Sequence, residues 1–195
     1  MILLPLVSLL VFTGCVQLEQ TIKLGTNNTG EFSIDGRFPS DLVTALDGKN
    51  KLSWLDAKAG TEQFPSDDGF RITRYRVYEL NGFHHLKITG DLTDARKALA
   101  SGKLGNFTWV RSDDAGITRL KAPADYPADT SQPAPRALRK LLADFRVKLT
   151  IELPAKPTAT TAHEKDGRTV TWTFDNAGNL DFAHRFPDVS AAYKE

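Results

Sequence analysis

From Val16 onward the chain alternates. Val16, Leu18, Ile22 and Leu24 share one parity, while Gln17, Glu19, Thr21 and Lys23 take the other. Turn-forming residues follow at Gly25-Thr-Asn-Asn-Thr-Gly30, and Phe32, Ile34 and Phe38 then alternate with Glu31, Ser33, Asp35 and Arg37. A period of two with turn residues between the runs predicts a β-hairpin with one buried face. A second hairpin is expected from Phe70 to Leu80 and Phe83 to Thr89, because Asn81-Gly82 accepts the positive φ values of a two-residue turn. A third runs from Asn106 to Arg111 and Ile117 to Lys121, turning at Asp113-Asp114-Ala115-Gly116. Val147, Leu149, Ile151 and Leu153 mark another strand. Val170, Trp172 and Phe174 form one more after Asp166-Gly167, and Leu180 to Phe186 reads as an edge strand.

The helical period appears four times. Pro39-Ser40-Asp41 is a helix start, with Leu42, Val43 and Leu46 on one face and Gly48 beyond the end. Ser53 to Ala59 suggests a short helix carrying Trp54 and Leu55. Leu92 to Ser101 suggests another, capped by Thr93 with Ala95, Ala98 and Leu99 inward. Arg136 to Phe145 spaces Leu138, Leu141, Leu142 and Phe145 at i, i+3, i+4, i+7. Between the third hairpin and this helix, Ala122 to Pro135 holds four prolines and reads as a surface loop. Neighbouring strands joined by short turns imply antiparallel pairing. The expected fold class is therefore α+β: an antiparallel sheet of several hairpins with three or four short helices. One domain is expected over residues 15–186, followed by a polar tail at 187–195.

What precedes that domain is different. Ile2 to Phe12 is an apolar run broken only by Pro5 and Ser8, and Thr13-Gly14-Cys15 follows it. The run is too short to span a bilayer, which takes about 20 residues of helix, yet it has the length of a secretory signal core. Cys15 is the only cysteine of the chain. Residues 1–14 thus resemble the leader of a bacterial lipoprotein precursor, with Thr13, Gly14 and Cys15 matching the lipobox and Phe12 standing where Leu is usual. The resemblance implies cleavage between Gly14 and Cys15 and diacylglycerol on the Cys15 sulfur. The lipid would be the membrane attachment, with the domain outside the cytoplasm in the cell envelope or periplasm.

Composition narrows the function classes. The 195 residues carry a net charge of +1, 25% charged residues and 41% hydrophobic ones, which is ordinary globular content. Nucleic-acid binders show a strongly basic surface, so no nucleic-acid partner is expected. With one cysteine no internal disulfide can form, and a chain of this length needs none to bury a core.

The lipobox cysteine, the strand directly after it, the Thr/Asn/Gly turn and the closing run Asp166-Gly-Arg-Thr-Val-Thr-Trp172-Thr-Phe174 are similar to LppM-like envelope lipoproteins. The similarity covers both ends of the mature chain and leaves residues 40–135 unmatched. It implies an α+β domain tethered to the envelope, with lipid or glycolipid as the ligand class, and it carries over no catalytic residue.

Candidate chemistry is sparse. His84 and His85 are adjacent on a strand and point to opposite faces, so they cannot share one ion. His163 and His184 show no zinc-type spacing with them. Asp67-Asp68-Gly69 and Asp113-Asp114-Ala115-Gly116 lack the ligand spacing of a calcium loop and fit turns. No metal and no cofactor are expected. No nucleophile elbow or phosphate-binding loop is present, so no enzyme is expected either. Arg71, Arg74, Arg76, Arg119, Lys121, Arg146 and Lys148 lie on or beside expected strands, and several on one face would meet anionic lipid heads. Trp54, Trp109 and Trp172 are expected in or at the edge of the core. The reading is a non-enzymatic, membrane-anchored binding module for lipid or glycolipid. The alternative is a scaffolding lipoprotein that docks an envelope protein, with Ala122 to Pro135 as the contact segment.

Overall fold

The first hairpin forms as its alternation requires: β1 (Gln17–Leu24) pairs antiparallel with β2 (Gly30–Pro39), Gln17 opposite Arg37 and Leu24 opposite Gly30. The computed structural model describes residues 16–47, 53–105, 107–112, 117–122, 145–175 and 189–194. After β2 come α1 (Ser40–Asp47), a 3-10 turn (Ser53–Leu55), α2 (Ala57–Thr61) and a second 3-10 turn (Ser66–Asp68). The hairpin β3 (Phe70–Leu80) and β4 (Phe83–Leu92) turns at Asn81 and Gly82, whose φ values are 52° and 76°. That is the left-handed backbone which the Asn-Gly pair tolerates at low cost. Then follow α3 (Ala95–Ala100), β5 (Thr108–Ser112), β6 (Ile117–Ala122), β7 (Arg146–Glu152), β8 (Pro157–Thr160), β9 (Glu164–Asp166), β10 (Thr169–Asp175) and β11 (Val189–Lys194).

Two sheets result. A seven-stranded sheet has the order β3-β4-β2-β1-β7-β10-β9, and a four-stranded sheet has the order β5-β6-β11-β8. The large sheet buries one face. Ile22, Phe32, Ile88, Leu149, Ile151, Val170 and Trp172 on it join Trp109, Leu120, Val189, Ala191 and Tyr193 of the small sheet in one hydrophobic cluster. An aromatic knot closes one side, with Phe64 and Phe70 ring centroids 5.3 Å apart and Phe32 within 6 Å of both.

The fold class differs from the expectation of α+β. Eleven strands face three α-helices of eight, five and six residues among the described residues, so the protein is β-rich. Helical periodicity overstated the helices because their ends serve other purposes. Leu92 completes the β4 ladder opposite Phe70 and Gly30, which leaves α3 to begin at Ala95. Its cap is Asp94, whose carboxylate accepts the Lys97 amide, and not Thr93. The Ser53–Ala59 helix divides into a 3-10 turn and α2. Segments of strand-poor composition became strands instead: Pro157–Thr160 pairs with β11, with Pro157 opposite Tyr193.

Two further differences follow from pairing between distant segments. β1 and β7 run parallel, Gln17 opposite Arg146 and Ile22 opposite Ile151, so the sheet is not purely antiparallel. The stretch assigned to a polar tail contains β11, which lies between β6 and β8 and buries Val189, Ala191 and Tyr193. The expected helix Arg136 to Phe145 (apart from Phe145 itself), the Ala122 to Pro135 loop beyond Ala122, and the Leu180 to Phe186 strand lie outside the described residues, as do Gly14 and Cys15.

Candidate binding face

Strand register sorts the large sheet into two chemistries. Its inward positions are almost wholly apolar, and its outward positions form polar rows that run across the strands. One row is made of hydroxyls. Thr89 lies opposite Ser33, Ser33 opposite Thr21, Thr21 opposite Thr150 and Thr150 opposite Thr171. Thr73 extends it, its Oγ1 donating to the Thr89 carbonyl at 3.0 Å. The next row is ionic: Arg71 pairs with Asp91 at 2.7 Å and Lys23 with Glu31 at 3.6 Å, and Asp91 faces Glu31 across the strands.

Over these two rows lies an open recess of about 350 Å³, lined by Thr21, Lys23, Glu31, Ser33, Thr73 and Thr89 among others. A second, of about 360 Å³, adjoins it at Glu31 and Asp91 and is lined also by Arg71 and Thr93. Hydroxyls, carboxylates and two cations in an open trough are suited to hydrogen-bonding a polar ligand rich in hydroxyls. The space between the sheets is filled by large side chains, with Trp172, Tyr193, Phe70 and Phe174 each at most 2% exposed.

The arginines of β3 reach one face through a backbone irregularity. Strict alternation would put Arg71 opposite in parity to Arg74 and Arg76. A bulge between Ile72 and Arg74 shifts the register, so Arg71, Arg74 and Arg76 face Asp91, Thr89 and Lys87 in turn on the outer surface. Lys87 meets Asp35 at 3.0 Å, and that hydrogen bond and charge hold the ammonium pKa above its usual value. Arg37, Arg74 and Arg76 enter no salt bridge among the described residues. Arg119 and Lys121 are exposed on β6 of the other sheet, and Arg146 and Lys148 stand on β7.

The histidines do not converge. His85 stacks on Tyr78 on the outer face, centroids 4.9 Å apart and planes 4° apart. His84 takes the other face of β4, and His163 accepts the Thr173 amide at its Nδ1 on a different edge of the sheet. His184 lies outside the described residues. No group of three or more metal-ligating side chains assembles among the described residues. Asp67-Asp68 forms a 3-10 turn ended by Gly69 at φ 84°, whose carbonyl accepts the Thr93 amide. Asp113 to Gly116 is outside the described residues. Trp109 and Trp172 are buried, and Trp54 packs on Phe38 at 4.6 Å.

The hydroxyl row was not singled out from the sequence. Its members are ordinary polar positions within separate strands, and only the registers β2·β4, β1·β2, β1·β7 and β7·β10 bring them into line. No helix of the described residues is long and apolar enough to cross a membrane.

Among solved structures, the chain is similar to the NMR structure of the Mycobacterium tuberculosis LppM folded domain. The TM-score is 0.51 at 17% identity, covering 95% of this chain and 93% of that one. At that coverage the similarity reaches beyond the two ends that the sequence motifs matched, and it is one of fold. No protein-family model and no curated protein matches the chain.

Proposed function

We propose that the protein is an envelope lipoprotein whose β-rich domain is held at a bacterial membrane by diacylglycerol on Cys15 and acts as a non-enzymatic binding module. The observation that carries this reading is the start of β1 at Gln17, two residues after the lipobox cysteine, in a fold shared with an LppM domain. A tether that short leaves the domain on the bilayer with no linker between.

The ligand class is a glycolipid or other lipid with a hydroxyl-rich head. The polar recess supports the head rather than the tails as the recognised part. It lies at the Lys23 end of β1, six residues from Gln17 and so roughly 20 Å from the anchored end at about 3.3 Å per strand residue. An extended sugar headgroup rising from the membrane spans that height, and a short phosphate head does not. Native mass spectrometry of the purified protein with extraction of bound lipid tests the reading. Glycolipid at unit stoichiometry, displaced in Asp91→Ala, is expected. Finding no co-purified lipid and no glycolipid binding would overturn it.

A further inference from the structure

The large sheet has two ends, and the one where β1 starts is unlike the other. There Gln17 lies opposite Arg37, Arg37 opposite His85, and His85 opposite Tyr78. The β3–β4 hairpin continues past that line through Leu80 and Phe83 to its tip at Asn81-Gly82. β3 is three strands from β1, about 14 Å to the side at roughly 4.8 Å per strand. The hairpin tip and residue 16 therefore share one edge of the molecule, with the tip projecting further.

That edge exposes apolar surface. Leu80 is 53% exposed and Tyr78 39%, two of the three large hydrophobic side chains so exposed among the described residues. Both aromatics are held by cationic or stacking neighbours. Tyr78 stacks on His85, and the Arg37 guanidinium lies 3.7 Å from the Phe83 ring centroid. Behind them on the same face Arg76 is exposed and enters no salt bridge among the described residues, and Arg74 stands further up, opposite Thr89 at the recess. The acidic groups nearby are engaged: Asp35 with Lys87, and Glu79 by the Ser40 hydroxyl at 2.8 Å. Glu19, exposed on β1 opposite Lys148, and Asp41, exposed one residue after Ser40 whose amide donates to the Gly82 carbonyl, are further acidic groups at that end.

From this we infer that the tip of the β3–β4 hairpin is a second membrane contact: Leu80, Tyr78 and Phe83 enter the bilayer interface while Arg37 and Arg76 face anionic headgroups. The inference rests on the tethered-module reading and names the surface that meets the membrane. Aromatic rings prefer the headgroup level, and each cation near an anionic surface adds attraction of about 1 kcal/mol. A hairpin tip that carries exposed aliphatic and aromatic side chains suits a soft interface. The anchor supplies the reason for the bilayer in particular, since it places that edge against it. Docked in this way, the domain stands upright with the polar recess roughly 20 Å above the bilayer surface.

The test uses the lipidated full-length product, whose acylated Cys15 offers no free thiol. Leu80→Cys carries an environment-sensitive fluorophore, and Asn27→Cys carries it at the opposite end of the sheet. Both are reconstituted in phosphatidylglycerol/phosphatidylethanolamine vesicles. The probe at position 80 is expected to shift to the blue, to be quenched by spin-labelled lipid and to resist aqueous iodide. The probe at 27 remains open to iodide. Adding Arg37→Glu and Arg76→Glu should abolish the protection at 80. Equal iodide access at both positions overturns the inference, as does protection at 80 that is unchanged by the charge reversals. Intact mass reads the anchor separately: an unmodified Met1 terminus overturns the tether, and vesicle contact by position 80 in that unlipidated chain still decides the docking.

Discussion

Trp109 and Tyr193 meet inside the molecule, the indole Nε1 donating to the phenolic Oη at 2.8 Å across 84 residues of chain. Trp109 belongs to β5 at one edge of the small sheet, and Tyr193 to β11 near its other edge. Tyr193 is fully buried and Trp109 nearly so. The bond ties two strands of the small sheet that are not neighbours in it.

Tyr193→Phe removes the acceptor and leaves a buried indole N–H, which costs about 1–3 kcal/mol. Urea unfolding should show the loss with an unchanged slope. Removing residues 189–195 should do far more, because β11 joins β6 to β8 and no other strand among the described residues pairs with both. A truncated chain that unfolds at the same urea concentration as the intact one would show that β11 is dispensable.

How much of this was legible in the sequence depends on how local the determinant is. Asn81-Gly82 specifies its own hairpin, and the parity of Val16 to Leu24 and of Val147 to Leu153 reports buried faces wherever the strands end up. Partner choice is another matter. Nothing in the alternation of β1 says that its neighbour is β7, and nothing says the two run parallel. The hydroxyl row depends on those registers, so it stayed hidden with them. The bulge at Thr73 is also invisible, although it decides which face Arg71 shares. Val189 to Lys194 was obscured by its length and by the alanines and serine between its larger residues, which pack as well as bigger side chains where two strands flank them.

Asp94 ties α3 to the first hairpin. Its carboxylate accepts the Lys97 amide at 3.1 Å and the Asn28 amide side chain at 3.0 Å. The Lys97 amide bond is the main cause of a carboxyl pKa held below its ordinary value, with Asn28 and the Lys97 charge adding to it. A carboxylate with a depressed folded pKa adds stability above its unfolded pKa of about 3.9 and loses it as pH falls through the folded value. Asp94→Ala should cost about 1 kcal/mol at pH 7, the usual worth of an N-cap. The difference from wild type should close in acid. Asp94→Asn should keep most of the cap and flatten that acid limb; an identical limb in Asp94→Asn and wild type would mean other carboxyl groups cause it.

Gly60 sits in α2 against Tyr75, and a Cβ added there would run into the Tyr75 hydroxyl and ring. That hydroxyl donates to the Trp54 carbonyl at 2.8 Å, pinning the 3-10 turn to β3. In an open helix Gly→Ala would add up to about 1 kcal/mol of stability. Here the sign should reverse, with Gly60→Ala costing about 1–3 kcal/mol through overpacking. Thermal unfolding of Gly60→Ala, Tyr75→Phe and the double variant separates the two effects. Since the hydroxyl is the nearest obstacle, the double variant should be less destabilised than the sum of the singles. Strict additivity would place the clash elsewhere.

Cys15→Ser bears on the tether itself. The residue stands two positions ahead of β1, and the described core assembles without it, so the variant should unfold at the wild-type midpoint. Its attachment should change in kind. Acyl chains bury CH₂ groups worth about 0.8 kcal/mol each, and two or more chains hold effectively for good. The wild-type protein should therefore stay with membranes through alkaline carbonate and high salt. Without the lipid, what remains is the hairpin tip, whose cations act over about one Debye length, near 8 Å at physiological ionic strength. Cys15→Ser should consequently be released by carbonate or by 1 M salt. Fractionation with intact-mass analysis checks both halves. Wild-type protein lacking diacylglycerol, or a Cys15→Ser chain that still resists carbonate, would show that the membrane is held by something other than this cysteine.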